Sequence, residues 1–122
     1  MLYFHRGMPI VFVIARDWKL RAAVRAELRE HGVETLGMES ADDAGRALSA
    51  GQVPSAVVVE AVPEIAGESG IRKLIERVPA VLVASRTETF PLPPVAAVFY
   101  RPVRVGEIVA RVREMLAKGR TV

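Results

Sequence analysis

The chain has 122 residues, 51% of them apolar, which favours one domain whose core needs neither disulfide nor metal to hold it. It contains no cysteine, so disulfides, zinc–thiolate centres and a cysteine nucleophile are excluded. His5 and His31 fall on different segments, which argues against a histidine metal site or a Ser-His-Asp triad. The net charge of +3 is spread over every helical segment without interleaved aromatics, so nucleic acid is disfavoured as a partner.

No apolar run is long enough to span a bilayer. Residues Met1 to Arg6 lack the apolar core and cleavage site of a signal peptide, and the expectation is a soluble, cytoplasmic protein. Residues 1–8 read as a disordered leader, 9–118 as the folded domain and 119–122 as a tail.

Strand-like and helix-like segments then alternate. Ile10 to Ala15 is a continuous apolar run, the pattern of a strand buried on both faces. Asp17 caps a helix over Trp18 to His31, with Leu20, Ala23, Val24 and Leu28 inward and Gly32 as its stop. Trp18 is expected to pack against the sheet edge. Val33 to Gly37 is a short second strand. Ser40, with Asp43 three residues on, opens a second helix that turns Ala44, Ala47 and Leu48 inward and ends at Gly51.

Val57 to Glu60 is a third strand that runs into the turn Ala61-Val62-Pro63. Ser69 is expected to cap a third helix with Ile71, Leu74, Ile75 and Val78 on its apolar stripe, ending at Pro79. Ala80 to Ser85 and Val95 to Tyr100 are the fourth and fifth strands. Val105 to Lys118 is a last helix with Ile108, Val112, Met115 and Leu116 inward. One crossover is abnormal. Between Ser85 and Val95, three prolines in four positions (Pro91, Pro93, Pro94) forbid a helix interior, so the fourth helix is expected to be missing or vestigial. The alternation predicts a flavodoxin-like, doubly wound α/β domain: five parallel strands in the order 2-1-3-4-5 and four helices.

From Pro9 to Lys118 this order and spacing resemble the receiver domain of bacterial response regulators, a chemotaxis-type family of two-component signalling. Val11 to Asp17 is similar to the family's first strand and acidic turn, with Leu20-Arg21 at the usual distance. Glu60 falls where the family keeps its phospho-accepting aspartate. Pro63 and Gly67 keep the family's spacing, and Phe99-Tyr100-Arg101-Pro102 resembles its aliphatic run ending in Lys-Pro. The resemblance implies phosphoryl transfer to an aspartate beside Mg²⁺, with a lysine and a hydroxyl reading the phosphorylated state.

The chain departs from that pattern at each chemical position. Ala15 and Arg16 stand at the acidic pair, with Asp17 next in the turn. Ala84 stands at the hydroxyl position, with Ser85 one step on, and Arg101, before Pro102, replaces the lysine. These changes imply an atypical receiver with no catalytic residue, metal or cofactor. In it Glu60 is a pseudo-phosphoacceptor, and Arg16 and Arg101 are expected to converge on it. The implied partner is a protein or a second copy, docked on the face between the fourth strand and the last helix. Two alternatives are a conventional phosphoryl-accepting receiver and a small α/β nucleotide-binding protein. The second is disfavoured because the turn Arg16-Asp17-Trp18 has no glycine to admit a pyrophosphate.

Overall fold

A computed structural model describes residues 8–85 and 94–120. The expected leader falls mainly on residues 1–7, and the expected missing helix on residues 86–93; both lie outside the described residues. The elements are β1 (Ile10–Ile14), α1 (Trp18–Glu30), β2 (Glu34–Met38), α2 (Ala41–Ser49), β3 (Ala56–Glu60), α3 (Pro63–Ala66), α4 (Ser69–Arg77), β4 (Ala80–Ala84), β5 (Ala97–Tyr100) and α5 (Val105–Arg120). The helix α5 extends through residues 119 and 120, which correct the expected tail.

All strand pairs are parallel and the sheet order is β2-β1-β3-β4-β5, the flavodoxin-like order the alternation predicted. The apolar runs have no polar alternation because β1, β3 and β4 are covered on both faces. On one side Val11, Val13, Val58 and Val83 pack with Leu20, Val24 and Leu28 of α1 and Ile108, Val109 and Val112 of α5. On the other, Phe12, Ile14, Val57, Val59 and Leu82 pack with Ala44 of α2, Ile65 of α3 and Ile71, Leu74 and Ile75 of α4.

Local chemistry sets the helix ends. Asp17 accepts hydrogen bonds from the N–H groups of Lys19 and Leu20 and caps α1, and Gly32 leaves the helix with φ +77°. Ser40 Oγ accepts from the Asp43 N–H and caps α2. Ser69 does not cap α4: Glu68 stands at that position without a side-chain bond, and Ser69 is the first helical residue. The helical turn begins earlier, at Pro63, where a residue without an N–H costs no hydrogen bond. At Gly67, which ends α3, a Cβ would lie 2.6 Å from the Pro63 carbonyl oxygen, so the step from α3 to α4 requires glycine.

Three expected core positions face water. Ala23 lies off the Leu20-Val24-Leu28 stripe and is exposed. Leu48 is 39% exposed, since the nine-residue α2 buries only Ala44. Trp18 is 62% exposed because the first residue of α1 points away from the stripe that meets the sheet.

Candidate functional site

The parallel strands deliver their carboxyl ends to one pole of the sheet, where α/β folds gather functional groups. After Ile14 the chain turns through Ala15, Arg16 and Asp17 into α1. Glu60 ends β3, Ala84 ends β4, and Arg101 follows the end of β5. The Arg101 N–H donates to the Ala84 carbonyl at 2.9 Å, which fixes where its side chain starts. The Arg101–Pro102 peptide is cis. Ser85, one residue past the strand, is half-buried.

Glu60 is the organising residue. It is 8% exposed, and an ionised carboxylate so placed needs charged or hydrogen-bonding partners. Its Oε1 accepts the backbone N–H groups of Arg16 at 2.7 Å and Asp17 at 3.0 Å. Its Oε2 accepts Nη2 of Arg101 at 2.9 Å. Two consecutive amides aimed at one oxygen form an anion-binding concavity, and here the anion is the protein's own side chain. Glutamate can fill it because its extra methylene carries the carboxylate from β3 to the β1–α1 turn.

Arg101 bridges two acids. Its Nη1 lies 3.2 Å from Asp17 Oδ2 while Nη2 holds Glu60. A planar guanidinium presents both N–H groups at fixed geometry, which a lysine ammonium could not do. Asp17 therefore works twice: Oδ1 caps α1 and Oδ2 meets Arg101. The Leu20 N–H, foremost, then the Arg101 charge and the Lys19 N–H hold the Asp17 carboxyl below the usual aspartate value, against an opposing push from partial desolvation.

Arg16 departs from expectation. Its guanidinium does not reach Glu60; it pairs with Glu64 at 2.9 Å, both side chains being more than half exposed. The reason is local: the Arg16 backbone N–H already occupies Glu60 Oε1, so the side chain turns outward toward the first turn of α3. Glu64 escaped the sequence reading, although a carboxylate one residue after Pro63 and four after Glu60 was its available signal. Arg21 adds a further brace. Its guanidinium donates to the Ala15 carbonyl, and its stem lies over Gly37, where a Cβ would come within 3.1 Å of Arg21 Cγ.

The donor set does not fit a divalent cation. Ala15 brings a methyl group and Arg16 a positive charge. Glu60 and Asp17 have their oxygens committed to N–H groups and Arg101, whereas Mg²⁺ asks for several free oxygens in a near-octahedral shell. Among the described residues no group of three or more acidic or imidazole side chains could hold a metal.

Comparison with solved structures places this pole in a known architecture. The chain superposes on a CheY-like receiver domain protein of Methanospirillum hungatei with TM-score 0.77 and 12% identity, over 93% of this chain and 98% of that one. It matches the receiver domain of Francisella response regulator 1452 with TM-score 0.74 and 16% identity, over 91% and 98%. It matches a response regulator receiver protein of Burkholderia phymatum with TM-score 0.69 and 20% identity, over 89% and 95%. The chain has the receiver fold. No family model matches it, and no curated protein matches its sequence. At the carboxyl ends of its strands this chain holds an internal Asp17–Arg101–Glu60 cluster. No helix among the described residues is long and apolar enough to cross a membrane.

Proposed function

We propose that the protein is an atypical receiver of a bacterial two-component pathway. It acts in the cytoplasm by protein–protein contact and takes up no phosphoryl group. One observation carries the reading: the carboxylate at the acceptor position is held by two backbone N–H groups on Oε1 and by Arg101 on Oε2. A nucleophilic oxygen must be free to attack, and the transferring group must find a cation. Neither condition fits Glu60, with Ala15 and Arg16 at the paired-acid positions. The Arg101 bridge takes the place of the metal–phosphate cluster and holds the β5–α5 turn in one arrangement. Catalytic residues, metal and cofactor have no place in this reading.

The partner face is the side of β4, β5 and α5. β5 is an edge strand. Ala97 and Phe99 pack toward α5, while on the opposite face Val98 and Tyr100 are 41% and 48% exposed. Exposed apolar groups on an edge strand mark an interaction surface. A second copy or a heterologous protein fits there.

Two measurements test this reading. Amide NMR spectra titrated with Mg²⁺ and beryllofluoride are expected to stay unchanged at Arg16, Asp17 and Glu60; saturable shifts at those residues would overturn the closed site. Sedimentation velocity at micromolar concentration, for the wild type and a Val98→Asp variant, examines self-association. A dimer that the variant dissolves supports the second-copy version, and a strict monomer overturns it.

A further inference from the structure

The sheet has two edges, and β2 is the one remote from β5. The Met38 carbonyl accepts the Ala15 N–H at 2.9 Å, and β1 pairs with β2 in parallel from Ile10↔Glu34 to Ile14↔Met38. Backbone groups alternate in direction along a strand. Glu34, Leu36 and Met38 therefore bond to β1, while Thr35 and Gly37 turn their N–H and C=O groups outward. No described strand lies beyond them. Thr35 is fully buried, whereas Gly37 is exposed, so the edge is open at Gly37.

One flank of α1 roofs this opening. At about 100° per residue, Arg21, Arg25 and Arg29 follow one another a turn apart along the side of the helix that meets β2. A Cβ on Gly37 would stand 3.1 Å from Arg21 Cγ and 3.7 Å from Arg25 Cδ, so both stems cross over the open residue. Arg21 is committed, since its guanidinium donates to the Ala15 carbonyl. Arg25 is not: its Nε is buried without a hydrogen-bond partner. Neither Arg25 nor Arg29 is ion-paired among the described residues. The nearby acids are turned elsewhere. The Glu27 carboxylate lies toward Gly106 of α5, and Glu30, three residues on, shares that side of the helix. Glu34 alternates onto the same face as Leu36, on the α2 side of the sheet.

We infer that the open edge of β2 takes an extended acidic segment of a partner protein as a short added strand. The segment pairs with Gly37 through its main chain and meets Arg25 and Arg29 with its carboxylates. An added strand satisfies edge N–H and C=O groups, and its alternate side chains fall on one face. On the α1 face of this edge those side chains meet arginines, and a carboxylate there gives the Arg25 Nε–H the acceptor it lacks. Gly37, without a side chain, lets the incoming backbone approach beneath the stems. A second copy is disfavoured, because its own arginine row would be brought against this one. The surface is on the opposite edge of the sheet from Val98 and Tyr100, and it stands whether or not Glu60 accepts a phosphoryl group.

The test follows the Gly37 amide by NMR in the isotope-labelled full chain, titrated with a short peptide that alternates glutamate and threonine. That amide is expected to exchange quickly with water in the free chain, and to be shifted saturably and protected from exchange by the peptide. Two altered peptides serve as controls: one with lysine for glutamate, and one with its backbone N-methylated, which keeps the carboxylates and loses the strand donors. Both should leave Gly37 unprotected. Arg25→Gln should weaken binding of the acidic peptide roughly tenfold, with circular dichroism checking its fold; should the variant unfold, the three peptides on the wild-type chain still decide. Four outcomes would each overturn the inference. They are no saturable binding of the acidic peptide, binding that leaves Gly37 exchanging freely, equal binding of either control, and protection of Gly37 that grows with the concentration of the chain alone.

Discussion

Nη2 of Arg101 lies 2.9 Å from Oε2 of Glu60, so a cation from the end of β5 holds the carboxylate at the end of β3, across the intervening strand β4. The bond joins groups 41 residues apart in the chain. One side chain thereby ties the start of α1, the centre of the sheet and the turn into α5.

Removing the carboxylate should show its worth. Glu60→Ala leaves the Arg16 and Asp17 N–H groups and the Arg101 guanidinium without their shared acceptor. Charge-assisted hydrogen bonds of this kind contribute about 1.5–3 kcal/mol each when broken singly, and coupled ones do not add. Glu60→Ala is expected to lose about 2–4 kcal/mol in urea denaturation. Glu60→Gln, which keeps an acceptor oxygen for the amides, should lose less. Added acetate should restore part of the Ala variant's stability, because the vacated concavity is built for a carboxylate.

Arg101→Lys tests the bridging geometry. An ammonium can meet Asp17 or Glu60 but cannot present two parallel N–H groups to both. Arg101 is itself over one-third exposed, so solvent screening reduces the effect to about 1 kcal/mol. The readout is the urea midpoint, with altered amide shifts at Asp17 and Glu60 and unchanged shifts in β2.

The acid limb of stability should report Asp17. Its carboxyl titrates lower in the folded chain than in the unfolded one, chiefly through the Leu20 N–H and then the Arg101 charge. A group depressed in this way stabilises the fold above the unfolded value of about 3.9, and that contribution disappears as pH falls through the folded value. Asp17→Asn should therefore lower stability at neutral pH and flatten the loss between pH 4 and the acid end. Stability curves measured against pH for both chains would show it, and parallel curves would contradict it.

The glycines separate tight packing from open space. Gly67→Ala puts a Cβ 2.6 Å from the Pro63 carbonyl oxygen, a backbone clash expected to cost about 1–3 kcal/mol. Gly45→Ala, inside α2 with nothing within 4 Å of the added carbon, should instead stabilise by about 0.5–1 kcal/mol. Thermal unfolding of both variants gives the two signs.

Much of this was legible in the sequence. The runs Ile10–Ile14, Ala56–Glu60 and Ala80–Ala84 announce buried parallel strands because nothing polar interrupts them. The strand end at Glu60 was readable from the second of these runs, and its meeting with Arg101 followed from the resemblance that sets Arg101 before Pro102 in the place of a lysine. The partner of Arg16 was not readable. That choice depends on a backbone N–H filling Glu60 Oε1 first, and main-chain donors leave no mark in a residue pattern. Trp18 misled for a related reason: an aromatic beside a helix cap suggests burial, yet the angle set by Leu20 and Val24 turns it outward. The short helix α3 and its break at Gly67 were not read from the sequence, where Pro63 marks only a turn and Ser69 is expected as a cap.

In the proposed reading the Glu60 carboxylate is structural and takes no phosphoryl group. The most direct measurement is intact mass of the full chain after incubation with acetyl phosphate and Mg²⁺, beside a receiver known to be labelled under the same conditions. This chain is expected to keep an unchanged mass while the control gains one phosphoryl group. A matching gain here, mapped to Glu60 or Asp17, would contradict it.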